Sequence, residues 1–85
     1  MRVLIPSALL SYTGVPWVDA AGDTVAMVFD DLDRRFPGIR FRMVDERGRV
    51  RRHLRLFLAG EALSDLATPV AADSELLIVQ ALSGG

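Results

Sequence analysis

The sequence predicts an α+β domain of the β-grasp type, a mixed sheet of four to five strands curled around one main helix. Two observations carry this expectation. Only one stretch has a strong helical period, and strand-like segments flank it on both sides; one helix can cover only one face of one sheet. The chain is also the size of a single domain, with 85 residues, 51% of them hydrophobic, and a mean hydropathy of +0.28. Such a composition folds around one core.

The elements follow in order. Residues 2–6 read as the first strand, because Val3, Leu4 and Ile5 are apolar and Pro6 closes them. Residues 11–16 hold a Thr-Gly-Val-Pro turn, and Trp17-Val18-Asp19-Ala20 is expected to fold back on the first strand as a hairpin. Ala21-Gly22-Asp23-Thr24 then breaks the pattern and offers Asp23 or Thr24 as a helix N-cap. From Val25, apolar residues recur at Val28, Phe29, Leu32 and Phe36, one face of a three-turn helix that Pro37-Gly38 ends. Asp30, Asp31, Asp33 and Arg34 are expected on its wet faces.

Residues 39–44 add a short helical turn, and Asp45-Glu46-Arg47-Gly48 reads as a loop. Leu54-Arg55-Leu56-Phe57-Leu58 alternates as a strand, ended by Ala59-Gly60. Residues 60–69 carry turn and short edge-strand material, and a last strand runs from Glu75 toward Leu82. In a β-grasp that last strand sits centrally, beside the first. The expected division is a domain over residues 1–81 and a flexible tail over 82–85.

Several function classes are excluded or weakened. There is no cysteine, hence no disulfide framework, no thiolate zinc site and no side-chain persulfide. Every basic residue is arginine, so the chain has no ε-amine for acylation or for isopeptide chains on itself. No apolar run approaches a membrane span, and Pro6 interrupts the opening before any signal-peptide pattern develops. A cytoplasmic setting is expected, with no membrane partner. Arg47, Arg49, Arg51, Arg52 and Arg55 form the one basic cluster, but ten arginines against eleven acids give a net charge of −1. The cluster reads as a solvated loop or a contact for an acidic protein, and no nucleic-acid partner is expected. His53 stands alone, the aspartates of the helix lack a metal-loop pattern, and no serine sits in a nucleophile elbow. The expectation is a protein without a side-chain catalyst, a metal site or a bound cofactor.

The strands carry more apolar surface than one helix can bury. Alternation sends Leu76 and Ile78 to one face of the last strand, and Leu77, Val79 and Ala81 to the other. Leu54, Leu56 and Leu58 face the core, which leaves Phe57 beside Arg55 on the outside. Phe57, Leu77, Val79 and Ala81 thus compose a candidate docking patch, unless residues 61–72 fold back over it or a second copy covers it. That patch leads directly to Leu82-Ser83-Gly84-Gly85. Glycine adds nothing to a core, but without a Cβ it can thread a narrow active site. The α-carboxyl of Gly85 is an anion at neutral pH, since such groups titrate near 3.5. Transfer to AMP would make it an electrophile for sulfur or nitrogen.

The chain resembles the MoaD/ThiS-type sulfur carriers, small bacterial relatives of ubiquitin. The resemblance runs through the opening strand, the Gly22-Asp23-Thr24-Val25 helix start and the Phe36-Pro37-Gly38 helix exit. It continues through Arg52-His53-Leu54, Leu56-Phe57-Leu58, the Ala72-Asp73-Ser74-Glu75 turn and the terminal Gly84-Gly85. The stretch over residues 40–52 looks nearer to MoaD and the cysteine-pathway members than to the shorter ThiS. The chain departs from many relatives in having Ala59-Gly60 for an Asn-Gly turn and Ser83 before the glycines.

The resemblance implies that a MoeB/ThiF-type enzyme, using ATP and Mg, adenylates Gly85. A sulfurtransferase or other sulfur donor would then convert it to a thiocarboxylate. An acceptor enzyme of molybdopterin, cysteine, thiamine or secondary-metabolite biosynthesis would receive the sulfur. Arg55, Phe57, Leu77, Val79, Ala81, Leu82, Ser83 and Gly84 would bind these partners. The chain would be a protein co-substrate, or the small subunit of a molybdopterin synthase-like enzyme. The alternative is a ubiquitin-like modifier joined to target lysines through the same diglycine.

Overall fold

The structure is a computed structural model that describes residues 1–81. Strand β1 (Arg2–Leu4) is followed by a 3-10 turn (Ser7–Leu9) and a short helix α1 (Leu10–Thr13). Strand β2 (Trp17–Asp19) precedes the main helix α2 (Val25–Arg35) and the short α3 (Ile39–Met43). Strands β3 (Leu54–Leu58), β4 (Glu61–Leu63) and β5 (Glu75–Gln80) complete one sheet in the order β2-β1-β5-β3-β4. The last strand is central, parallel to β1 and antiparallel to β3. This is the β-grasp arrangement that the element order predicts.

Alternation decides what each strand buries. Val3, Leu76 and Ile78 have no exposed surface, and Leu54 and Leu56 no more than 2%. They pack with Val25, Val28, Phe29 and Leu32, the apolar stripe of α2. Ile39, Met43 and Val44 close the same core beyond the end of α2. Each such side chain contributes about 1.5–3 kcal/mol of transfer free energy relative to exposure.

The N-terminus of α2 shows how the connecting segments are fixed. A helix leaves its first N–H groups without intrahelical partners. Here Thr24 is the N-cap, its Oγ1 accepting from the Met27 N–H at 3.3 Å. The Val25 and Ala26 N–H groups donate to the carbonyls of Thr68 and Leu66 at 3.1 and 2.9 Å, and the Val70 N–H returns to Asp23 O at 3.0 Å. The stretch between β4 and β5 is therefore committed to the start of α2. Gly22 lets its own segment, between β2 and α2, lie close against α2, since a Cβ there would stand 2.6 Å from the Val28 nitrogen.

Three expectations need correction. The first strand ends at Leu4 rather than Pro6, because Pro6 caps the 3-10 turn and has no N–H for the ladder. Residues 11–16 are not simply a turn: the 3-10 turn over Ser7–Leu9 runs into α1, Leu10–Thr13, which Gly14 ends at φ 75°. Asp31 is not on a wet face: it is 8% exposed. Its carboxylate accepts from the Ala21 N–H at 3.0 Å, is hydrogen-bonded to Arg34 and lies 3.6 Å from Arg35. The Ala21 amide first, then the two guanidinium groups, hold this carboxyl below the usual range against the opposing effect of burial.

Candidate docking face and strand exit

On the side of the sheet away from α2, side chains line up in rows, because paired residues share a face. One row crosses every strand: Trp17 stands opposite Leu4, Leu4 opposite Leu77, Leu77 opposite Phe57, and Phe57 opposite Ala62. Trp17, Leu4, Leu77 and Phe57 are half-buried, and Ala62 is exposed. The row toward the start of β5 is polar: Arg2 stands between Asp19 and Glu75. Arg2 Nη1 donates to Glu75 at 2.9 Å, while its guanidinium lies 4.2 Å from the centre of the Trp17 ring. The row toward the end of β5 pairs Val79 with Arg55.

The patch predicted from alternation is thus brought together, with Phe57 beside Leu77 and Val79 beside Arg55. Of residues 61–72, the segment considered as a cover, Glu61–Leu63 pairs with β3, and Leu66, Thr68 and Val70 are bonded to the start of α2. Leu4 and Trp17 extend the patch, and sequence reasoning missed them. Their signal was present: Val3 and Val18 alternate with them, but only the parallel β1–β5 register shows that they continue the Leu77–Phe57 row. Arg55 is less available than expected, since its Nη1 donates to the carbonyls of Arg52 and Leu54, each at 2.8 Å.

The face leads to the chain's exit. The Ala81 N–H donates to His53 O at 2.7 Å, extending the β3–β5 ladder one residue past the strand. Ser7 Oγ donates to Gln80 Oε1 at 3.1 Å from the β1 side. The strand end is held from both flanks. The predicted tail, with candidate residues Leu82, Ser83, Gly84 and Gly85, lies outside the described residues. Among the described residues there is no cluster of three metal-ligating side chains, and no helix is long and apolar enough to cross a membrane.

No protein-family model matches the chain. The sulfur carrier protein CysO of Mycobacterium tuberculosis is 33% identical over 91 aligned positions, spanning all of this chain and 98% of the relative. The chain belongs to that sulfur carrier family. Its fold agrees: the crystal structure of M. tuberculosis CysO superposes with a TM-score of 0.90 at 31% identity, covering 95% of this chain and 98% of that one. The Amycolatopsis orientalis BexX/CysO complex gives 0.88 at 32% identity, over 99% of this chain and 98% of its counterpart. SAMP1 of Haloferax volcanii gives 0.76 at 30% identity, over 100% and 98%. Like these CysO carriers, the family member described here is a carrier rather than an enzyme. The five-stranded β-grasp of this chain thus matches both the CysO and the SAMP1 structures in fold.

Proposed function

We propose that this sulfur carrier bears its sulfur on the α-carboxyl of Gly85. Membership of the CysO family supports the role, and one observation supports the site: the central strand that carries Leu77 and Val79 is also the strand that leads to Gly84-Gly85. In the first step a Gly85 carboxylate oxygen attacks the α-phosphorus of ATP on a MoeB/ThiF-type partner, and pyrophosphate leaves. In the second, hydrosulfide supplied by the sulfur donor attacks the acyl carbon. The C–O bond to AMP breaks, AMP leaves with its electron pair, and the thiol proton passes to water. The product is a thiocarboxylate, ionised at neutral pH, which an acceptor biosynthetic enzyme consumes. ATP and Mg belong to the activating enzyme.

Arg55, Phe57, Leu77, Val79 and Ala81 form the handle in this reading, and Leu82, Ser83 and Gly84 the leash that enters the active site. We place the cycle in the cytoplasm, where ATP is available. The BexX/CysO complex supports a carrier that works in association with another protein. Likeness to SAMP1, a small archaeal modifier protein, supports a second reading in which a lysine amine replaces sulfide as nucleophile.

Intact-mass measurement of the protein from its native host tests both readings. A sulfur-for-oxygen exchange at Gly85, on a species whose mass rises by one alkyl group under thiocarboxylate-selective alkylation, is the expected result. Isopeptide-linked remnants on lysines of other proteins, residues 56–85 after tryptic cleavage because Arg55 is the last basic residue, without that exchange, would establish the modifier instead.

A further inference from the structure

The arginine-rich stretch acquires a location in the fold. Of ten arginines and eleven acids in the chain, six arginines and two acids fall within residues 42–55, leaving four arginines and nine acids elsewhere. The net charge of −1 therefore conceals a strongly polarised molecule. The basic stretch is a built hairpin. Val44 bridges Val50, the Arg51 N–H donates to Met43 O at 2.9 Å, and Asp45 Oδ1 accepts from the Arg47 and Arg49 amides at 2.9 and 3.0 Å. Asp45 is thus turned inward to its own loop, while Arg42, Arg47, Arg49 and Arg52 are exposed and make no ion pair among the described residues.

This hairpin feeds into β3, whose first residue, Leu54, stands opposite Gln80; the preceding His53 accepts from Ala81. Through His53 the hairpin adjoins the point where the chain leaves the sheet, with Arg51 and Arg52 the arginines just before it in the chain. Two shallow hollows share Arg51 and His53, one beside Phe41 and Arg42, the other beside Arg47, Arg49 and Arg52 with Asp45 and Glu46 also in its lining. Phe41 is 58% exposed, with the Arg51 guanidinium 4.6 Å from its ring centre and Arg51 Nε bonded to its carbonyl at 2.7 Å. Arginine and aromatic side chains are the commonest anchors of protein interfaces.

We infer that this collar docks on an acidic protein surface, the carboxylate-rich rim of the channel that admits residues 82–85. The inference rests on the carrier reading above. Four extended residues span at most about 13 Å. A channel that takes the tail extended holds its chemistry about that far beyond Ala81, so the collar meets the mouth and not the phosphates of the nucleotide. Nucleic acid is disfavoured because a long polyanion would also confront the nine acids elsewhere on the domain. A localised acidic rim would not, and the molecule's polarity would steer it tail-first into that rim.

The full chain, isotope-labelled, is titrated with poly-L-glutamate of about twenty residues and, separately, with a thymidine oligonucleotide of about the same charge. Poly-L-glutamate should shift the amides of residues 42–55 and Ala81, with affinity falling about tenfold or more as salt screens the contact. Tighter binding of the oligonucleotide, or no shift with either probe, overturns the inference. In host extract supplied with ATP and sulfide, Arg47→Glu/Arg49→Glu/Arg52→Glu should acquire the thiocarboxylate about tenfold or more slowly than the parent at low salt, the gap closing at high salt. The triple Arg→Gln variant, a guard against misfolding, should fall between them. Equal rates at low salt overturn the collar and leave the carrier reading intact. No thiocarboxylate on any chain overturns the carrier reading instead, and the titration then decides the collar.

Discussion

The two faces of the sheet are built from the same strands, one residue out of step, yet they do different things. On the inner face Val3, Leu54, Leu56, Leu76 and Ile78 are at most 2% exposed. On the outer face Leu4, Trp17, Phe57 and Leu77 are equally apolar but only half-buried. The inner row meets α2, so its burial is realised on folding. Among the described residues the outer row meets nothing of comparable size, and much of its transfer free energy is left for association. Composition alone therefore does not separate stability from recognition here; position in the pleat does.

Substituting neighbours on β5 should break that comparison most sharply. Ile78→Ala removes a fully buried side chain and should cost about 2–5 kcal/mol in chemical denaturation, with partner affinity unchanged at temperatures where the variant is folded. Leu77→Asp, one residue away, should leave unfolding within about 1 kcal/mol of the parent. It should nonetheless weaken binding to the activating partner about tenfold or more by titration calorimetry. If Leu77→Asp proves the more destabilising of the two, the outer face is part of the folding core and its assignment as a docking surface fails.

A smaller effect sharpens the comparison at the β3–β4 turn, which holds Phe57 opposite Ala62. Ala59 and Gly60 both have positive φ, 53° and 83°, as a two-residue hairpin turn of this hand requires. Alanine tolerates that region poorly and asparagine tolerates it better. Ala59→Asn should thus stabilise by about 0.5–1 kcal/mol and raise the melting temperature without altering partner affinity. A lower melting temperature would show that the turn's exposed side chain matters more than its backbone.

The smallest expected effect lies away from both faces, at Asp31. Its folded-state carboxyl titrates below the ordinary range, chiefly through the Ala21 amide. Its contribution is present above the unfolded value of about 3.9 and is lost as pH falls toward the folded one. Asp31→Asn should lower the melting temperature at neutral pH and flatten its decline in acid. An unchanged acid limb would assign that decline to other carboxylates.

Much of this was legible beforehand because it is local. The 3.6-residue period over Val25–Arg35, the Thr24 cap and the alternation of β3 and β5 are each written within a dozen residues. The failures need information from elsewhere in the chain. Residues 7–13 are too few to display a period, although Pro6 before them and Gly14 after them were usable stops. Asp31 has Arg34 and Arg35 at helical spacing, but only the passage of Ala21 beside it buries the carboxylate. The outer patch was half-read: alternation supplied Phe57 and Leu77, whereas Leu4 and Trp17 join them through a parallel pairing that no local signal encodes.

The placement of β5 between β1 and β3 also has a mechanical side. A terminal segment usually frays because it hangs from an edge. Here any tug on the residues past Ala81 is transmitted into a strand that β3 holds over Leu76–Gln80 and β1 over Glu75–Leu77, so both ladders must give way before the strand leaves the sheet. A partner can therefore grip and release the end repeatedly while the rest of the protein keeps its shape.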